Sequence, residues 1–377
     1  MVMADVSDVP LSDQIEGALH PVLTSRFFGH GAQISVLEAG LKQGRFHHGW
    51  IFSGVQGVGK ATLAYHLARV LLDGEAGGDC LEEGRSLLAV SERVRDGKTG
   101  RLISQFVHPD MRVLRRAFDP KGKRFFAAIR IDEMRALRDM LHTTPSMGGR
   151  RVILIDRADD LNEASGNALL KVLEEPPAHT VFILIANVLA RLPITIRSRC
   201  QILKFHGLEF EAFQDGLLQQ FSSQDLPAMP ANELEELWHL ADGSVGRGFE
   251  LTQGSGLKFY QLLFKILDGL PNLDGRLLDQ FIEGVLKDKT GADYTKAEGL
   301  LLDMIYRLIK GRAAAQPLSG GEKRLADKLI AVEMLDQWFE LWDTLTQNSQ
   351  DVAVYNLDKK THLMGCFFHL RTLVRAG

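Results

Sequence analysis

The sequence is poor in cysteine and lacks the marks of a secreted, membrane-spanning or zinc-held protein. Its 3 cysteines among 377 residues, Cys80, Cys200 and Cys366, lie far apart, with no CxxC pair and no histidine at metal-ligand spacing. We therefore expect three reduced thiols and no zinc. The first residues form no basic, apolar leader, and the longest nearly apolar run, VFILIANVLA, is too short to span a bilayer. These absences predict a soluble, cytoplasmic protein without membrane contact.

The sequence also lacks an excess of one charge. It has 44 Lys and Arg against 48 Asp and Glu, a net charge of -4, so its surface as a whole is not suited to wrapping nucleic acid. The basic cluster of Lys121, Lys123 and Arg124 is expected to be a solvated turn, with DNA contact as the alternative. A chain of 377 residues is longer than one hydrophobic core usually organises, which predicts two or three domains.

An α/β pattern extends from residue 49 to about 206. Short apolar runs that predict strands alternate with helical patterns, and the central runs are apolar throughout, as expected for a parallel sheet covered on both faces. Predicted strands cover 49–54, 111–116, 151–156 and 180–187; predicted helices cover 60–73, 129–144 and 162–175. Residues 74–128 interrupt the pattern as an inserted segment, with a hairpin or turn at 118–126.

Strand patterns are absent after residue 206. Short helices are predicted in a small domain over 207–256, and five longer helices follow. The five cover 257–270, 276–288, 296–315, 323–347 and 355–376. We therefore predict three parts: an α/β domain of the P-loop type over 1–206, a small helical lid over 207–256, and an all-α domain over 257–377.

A phosphate-binding loop is the strongest motif in the sequence. Residues Gly54 to Lys60 fit GxxxxGK between a predicted strand and a predicted helix. Gly54, Gly57 and Gly59 allow backbone amides to turn towards phosphate oxygens, and Lys60 is placed to reach the terminal phosphates. A glycine-rich turn with a chance lysine is the alternative.

The loop lacks the hydroxyl that normally follows its lysine. That residue usually coordinates Mg²⁺, and here it is Ala61, with Thr62 one position later. One residue along a helix turns a side chain by about 100°, so Thr62 is not expected to replace the missing ligand. Nucleotide binding through Lys60 and the loop amides is expected to be weak.

A second element of hydrolytic chemistry is also missing. Asp156 ends an apolar strand, where a carboxylate can hold a metal through water, or simply cap the next turn. The next residue is Arg157, and a cation cannot act as the general base for water. Asp159 and Asp160 are interpreted as candidates for the N-cap of the next helix.

Three stretches together resemble a known family. RFHHGWIFSGVQGVGKATLA, RVILIDRADDLNEASGNALLKVLEEPP and LPITIRSRC are similar to bacterial clamp-loader subunits of the AAA+ class, and within it to the delta-prime family of DNA polymerase III. The similarity covers residues 21 to about 250, while the helical remainder agrees only in length and type. The family's four-cysteine zinc module has no counterpart here.

The resemblance implies a role for individual residues. Ser198, Arg199 and Cys200 match the family's SRC motif, whose arginine projects into the nucleotide site of a neighbouring subunit; a surface salt bridge is the alternative for Arg199. Arg247 matches an arginine that senses nucleotide in active relatives. Asn187 lies near the family's first sensor position, with a turn residue as the alternative.

The resemblance also implies partners and a function. The expected function is that of a clamp-loader subunit in a hetero-pentamer, which helps place the sliding clamp on primed DNA within the DNA polymerase III holoenzyme. ATP or ADP is expected to bind weakly, and the chain is not expected to be an independent catalyst. The alternatives are an active AAA+ ATPase, either a motor subunit or a branch-migration-like helicase, and a nucleotide-regulated scaffold outside replication.

Overall fold

The structure is a computed structural model in which the chain divides into two compact units, Met1–Phe249 and Glu250–Gly377. It describes residues 10–44, 46–73, 85–120, 124–126, 128–141, 143–147, 149–224, 226, 229–289, 291–313, 318, 320–355 and 357–376. Within these ranges no helix is long and apolar enough to cross a membrane.

A five-stranded parallel sheet forms the centre of the first unit. The strands of this unit are β1 (Gly49–Ser53), β2 (Met111–Leu114), β3 (Phe118–Asp119), β4 (Arg124–Phe125), β5 (Arg151–Asp156), β6 (Thr180–Ala186) and β7 (Gln201–Lys204). The sheet has the order β2-β5-β6-β1-β7, while β3 and β4 pair separately as an antiparallel hairpin. The four predicted strands and the predicted hairpin are confirmed.

Helices cover both faces of the sheet. Those that contribute buried residues to the two cores are α1 (Gly31–Lys42), α2 (Lys60–Leu72), α3 (Leu87–Arg95), α4 (Lys98–Ser104), α5 (Ile131–Leu141), α6 (Glu163–Glu174) and α7 (Ile194–Arg197). They are followed in the chain by α8 (Phe210–Ser222), α9 (Ala231–Leu240) and α10 (Val245–Thr252). Successive side chains of β5 point to opposite faces of the sheet. Val152 and Leu154 pack in the core with α2 and α3 on one face, and Ile153 and Ile155 pack in the core with α5 and α6 on the other. Each such buried side chain contributes about 1.5–3 kcal/mol, so both layers are strongly held. The predicted α/β P-loop fold with a parallel sheet is confirmed.

The second unit is helical throughout its described residues, as predicted. Its helices are α11 (Gly256–Asp268), α12 (Gly275–Leu286), α13 (Ala292–Arg312), α14 (Gly320–Leu329), α15 (Leu335–Tyr355) and α16 (Lys359–Ala376). The single helix predicted over 323–347 is wrong, because the 3-10 turn Val332–Met334 separates α14 from α15. The finer division at residues 206 and 256 stays a prediction.

Some predicted features lie outside the described residues. Lys121, Lys123 and Cys80 are among them. Cys200 and Cys366 are free thiols.

Candidate nucleotide site and arginine edge

The predicted phosphate loop connects β1 to α2 as expected. Gly57 and Gly59 have φ angles of 80° and 103°, a region that residues with a Cβ avoid. Gly59 is the N-cap of α2 and supplies no side-chain bond to the first turn. None of the described residues accepts a hydrogen bond from the amides of residues 55–59. The loop therefore offers free donors at a helix N-terminus, the arrangement that binds phosphate.

Lys60 is buried at the base of this loop, with 4% of its surface exposed. Its Nζ donates to the carbonyl oxygens of Gly54 and Val55 at 2.5 and 2.7 Å and to Asn187 Oδ1 at 2.9 Å. Burial lowers the pKa of Lys60 to about 8, although the charges of Asp156 and Asp159 oppose this shift. All three contacts are to neutral acceptors, so the ammonium charge is not cancelled by a paired carboxylate.

Asp156 lies at the end of β5 and is 6% exposed. Burial raises the pKa of Asp156 to about 7, and the charge of Asp13 adds to this effect while Lys60 and Arg157 oppose it. A carboxyl group that is partly neutral near pH 7 is a poorer partner for a metal ion than an ordinary aspartate.

Arg157 directly follows Asp156 and contacts the phosphate loop. Its Nε donates to Asp160 Oδ2 at 3.1 Å, and its Nη1 donates to Gln56 Oε1 at 3.2 Å. Asp160 also pairs with Arg116 Nε at 3.0 Å. One carboxylate is therefore shared by two guanidinium groups.

The N-cap prediction for Asp159 and Asp160 is wrong. Asn162 caps α6, its side chain accepting a hydrogen bond from the amide of Ser165 at 2.8 Å. Asp159 instead accepts hydrogen bonds from the amides of Asn187 and Val188, both at 3.2 Å. The turn Ala158–Asp160 ends before α6 begins, so neither aspartate occupies the N-cap position. Asp159 instead binds the backbone that follows β6, and Asp160 pairs with two arginines.

The first turn of α10 packs directly on the phosphate loop. Ser244 Oγ donates to the carbonyl of Gln56 at 2.7 Å, and the amide of Gly246 donates to the carbonyl of Gly57 at 3.0 Å. A Cβ on Gly57 would lie 2.8 Å from the Cα of Gly246. Arg247 lies in the same turn, and its amide donates to Ser244 Oγ at 3.2 Å. Arg247 is not among the residues that line the cavity over the phosphate loop.

A cavity of about 160 Å³ opens over the loop. It is lined by Lys60, Ala61, Thr62, Asp156, Arg157 and Asn187 together with residues of the N-terminal segment between positions 12 and 28. Sequence reasoning missed this segment, and the structure places Thr62 on the cavity wall beside Ala61. The fit of a nucleotide is therefore decided partly by residues that carry no recognisable motif.

Asp13 fixes the N-terminal segment over the cavity. It is paired with Arg115 Nη1 at 2.9 Å and with His20 Nε2 at 3.3 Å, and its side chain is 1% exposed. Burial alone would raise the pKa of Asp13, but its hydrogen bond to His20 and the charges of His20 and Arg115 bring it below its usual range. The amide of Leu19 also donates to Gln220 Oε1 of α8 at 2.9 Å, so the segment joins the sheet layer to α8.

Arg199 lies at another edge of the first unit. Its Nη2 pairs with Glu174 Oε1 at 2.8 Å, its Nη1 donates to the carbonyl of Thr195 at 2.9 Å, and 36% of its side chain is exposed. It does not line the cavity of its own chain. Both predicted alternatives therefore remain compatible with its position, since the salt bridge is present and the guanidinium is still accessible.

Cys200 holds this edge against β1. Burial raises the pKa of the Cys200 thiol to about 12, so it is an inert packing group near neutral pH. A Cβ on Gly49 would lie 2.9 Å from its Sγ and 3.2 Å from the carbonyl oxygen of Arg199. The backbone of the SRC stretch is therefore closely fitted to the start of β1.

Residues 29–209 match a family model described as DNA polymerase III, delta subunit. The delta-prime subunit of Pseudomonas aeruginosa is 34% identical over 201 residues, which are 52% of this chain and 53% of that protein. The delta-prime subunit of Bacillus subtilis is 27% identical over 230 residues, 61% of this chain and 64% of that protein. Residues 29–209 are delta-prime-like.

The likeness extends to other subunits of the same polymerase. The tau subunit of Salmonella typhimurium is 34% identical over 221 residues, 58% of this chain and 31% of that protein. The alignments thus cover about a third of the tau relative and about half of the Pseudomonas delta-prime subunit. Of solved structures, a gamma-subunit-related protein of Thermotoga maritima is 17% identical over 91% of this chain and 99% of its own, with a TM-score of 0.42. The RuvB branch migration motor of the same organism is 16% identical over 87% and 91%, with a TM-score of 0.40.

The delta-prime-like region fits a phosphate chain but not its usual metal. The free amides of residues 55–59 and the buried cation of Lys60 suit phosphate oxygens. Ala61 supplies no oxygen ligand, and Arg157 adds a positive charge to the same cavity. In the ranges that the structure describes, no group of three or more His, Cys, Asp or Glu is placed to hold a metal ion.

Proposed function

We propose that the protein is a clamp-loader subunit of the delta-prime type, which joins related subunits in a hetero-pentamer and helps place the sliding clamp on primed DNA. The observation that carries this proposal is the contrast between its two arginine positions. Arg157 replaces the carboxylate that hydrolysis needs, while Arg199 is accessible at an edge outside the chain's own cavity.

In this proposal Arg199 acts on the nucleotide of a neighbouring subunit. A guanidinium beside a transferring phosphoryl group stabilises the negative charge that develops on its oxygens, an effect of about 10³–10⁵ in known arginine fingers. Ile194, in the helix that precedes Arg199, is 71% exposed, and in this proposal the neighbouring subunit would cover it. The pair with Glu174 would hold the guanidinium until the neighbour's nucleotide competes for it.

The chain's own cavity is proposed to bind nucleotide weakly and not to hydrolyse it. Lys60 and the loop amides would supply phosphate contacts, and Asn187, which accepts a hydrogen bond from Lys60, is proposed as the first sensor. The side chain of Arg247 is a weaker candidate sensor, since it does not line the cavity. The helices of residues 257–377 are proposed to form the collar that holds the pentamer together.

Reconstitution of the complex tests this function. We expect the full chain to form a stoichiometric complex with clamp-loader motor and delta subunits, and the complex to hydrolyse ATP in response to primed DNA and clamp. The isolated chain should show no turnover above a blank. Robust turnover by the isolated chain would favour the active ATPase, and failure to enter the complex would favour a scaffold outside replication.

A further inference from the structure

We propose that the cavity over the phosphate loop binds a nucleoside di- or triphosphate without Mg²⁺, with the guanidinium of Arg157 providing the positive charge that the metal provides elsewhere. This inference concerns the chain's own ligand and stands whether or not Arg199 acts on a neighbour. It follows from how the charged groups near the loop are paired: most of the carboxylates are engaged by other partners, while Lys60 and Arg157 lie at the cavity.

Carboxylates near the loop are largely engaged by other partners. Asp13 is held by Arg115 and His20, and Asp159 accepts two backbone amides. Asp160 is shared by Arg116 and Arg157. Only Asp156 lines the cavity without a salt bridge among the described residues, and a single buried carboxylate beside Ala61 is a poor site for a cation that prefers octahedral oxygen ligands.

Two cationic side chains, Lys60 and Arg157, contact the phosphate loop. Among the described residues, Lys60 contacts only neutral oxygens, so its charge remains available to a ligand that displaces them. Arg157 shares the carboxylate of Asp160 with Arg116, and it is close enough to Lys60 for its charge to affect the lysine's pKa. Lys60 and Arg157 both lie at the cavity, and a polyphosphate alone, which is more negative than its magnesium complex, gains more from contact with two cations.

The geometry of Arg157 suits this role. Its Nη1 contacts the side chain of Gln56, a residue of the loop itself, at 3.2 Å. Its Nε is fixed by Asp160 at 3.1 Å, and none of the described residues accepts a hydrogen bond from its Nη2. The guanidinium is therefore oriented by two bonds with one nitrogen left for a phosphate oxygen, a strong contact because both groups are charged.

Calorimetric titration of the full chain with ADP and with ATP, in excess EDTA and in excess MgCl₂, tests this inference. We expect binding in EDTA to be at least as tight as in MgCl₂. Arg157→Glu should weaken binding in EDTA by about ten- to a hundredfold, the usual effect of losing a charged hydrogen bond. Arg135→Glu changes the net charge equally at a side chain that is 73% exposed, and it should bind as the unaltered chain does.

Three outcomes would overturn the inference. They are tighter binding in MgCl₂ than in EDTA, no binding in either condition, and equal affinity of the Arg157 and Arg135 variants. Arg157→Gln, checked by thermal unfolding, serves if the glutamate variant does not fold, and it should also weaken binding in EDTA. Because no partner subunit takes part, failure here leaves the proposed role of Arg199 untouched, and failure of that role leaves this result standing.

Discussion

The phosphate-loop cavity and the Arg199 edge belong to the same α/β unit, yet they differ in how their charged groups are held. In the cavity, Lys60 and Asp156 are buried, and burial moves the pKa of both. At the edge, Arg199 and Glu174 are 36% and 44% exposed, and they form an ordinary surface ion pair. The cavity is thus built as a fixed internal site, whereas the edge keeps a guanidinium that another molecule can reach.

The largest expected effect is on ATP hydrolysis by the complex, and it should distinguish the Arg199 edge from the phosphate-loop cavity. In the reconstituted complex, Arg199→Ala should lower DNA-stimulated ATP hydrolysis by about a thousandfold or more, because the charge that stabilises the neighbour's transition state is lost. Lys60→Ala should change this activity little, since the chain's own cavity is not expected to turn over. Steady-state ATPase rates, with complex formation checked by gel filtration, measure both. Full activity in the Arg199 variant would show that the edge has no catalytic part.

The next effect is on the free energy of unfolding, through the ion pairs of Asp13 that hold the N-terminal segment over the cavity. Asp13→Asn should cost about 3 kcal/mol at pH 7, because it leaves Arg115 and His20 beside a buried group without charge. The pKa of Asp13 is lowered by folding, so its stabilising effect is present above about pH 4, the unfolded value, and is lost as the pH falls through the lower folded value. Urea unfolding at several pH values measures this.

Asp156→Asn is the matched control for Asp13→Asn. The pKa of Asp156 is raised to about 7, which means that the folded state favours its neutral form, and asparagine imitates that form. This variant should lose little stability at pH 7. A loss as large as that of Asp13→Asn would contradict the assignment of opposite roles to the two carboxylates.

A smaller effect on stability is expected at Gly49, where the start of β1 packs against Arg199 and Cys200. Gly49→Ala would place a Cβ 2.9 Å from Cys200 Sγ, and such overpacking costs about 1–3 kcal/mol. The double variant Gly49→Ala, Cys200→Ala should recover part of this loss. Gly31→Ala is the control, because its added Cβ has no atom of another described residue within 4 Å beyond the neighbouring backbone of its own helix. Thermal unfolding of the four chains would detect the clash, and an unchanged melting temperature in the single variant would exclude it.

The smallest effect tests the ion pair itself. Glu174→Gln should change the free energy of unfolding by less than about 1 kcal/mol, since solvent screens a pair with both side chains over a third exposed. ATP hydrolysis by the complex should not fall, because Arg199 remains present. A fall as large as that of Arg199→Ala would mean that Glu174 positions the guanidinium for its neighbour.

Several elements could be predicted from the sequence because their signals are local. The strands around 151–156 and 180–187 are apolar throughout, and the phosphate loop is defined by glycines whose positive φ angles few other residues adopt. Strand β7 was missed because QILK is short and mostly exposed, and it is stabilised by pairing with β1. Its pairing partners in β1 lie 151 positions earlier, as in Trp50 with Gln201, and no local pattern records them.

The sequence by itself determined the α/β class, the helical second half and the identity of the loop, because periodicity and steric requirements act between near neighbours. It also located Ala61 and Arg157 as departures from hydrolytic chemistry. Only the tertiary structure decided that Asp13 closes the cavity, that Asp159 caps the end of β6 and that Arg199 pairs with Glu174. These contacts join segments that are distant in the sequence. Burial makes an unpaired charge costly and so makes the partners of Asp13 necessary, whereas the Arg199–Glu174 pair stays exposed and weak.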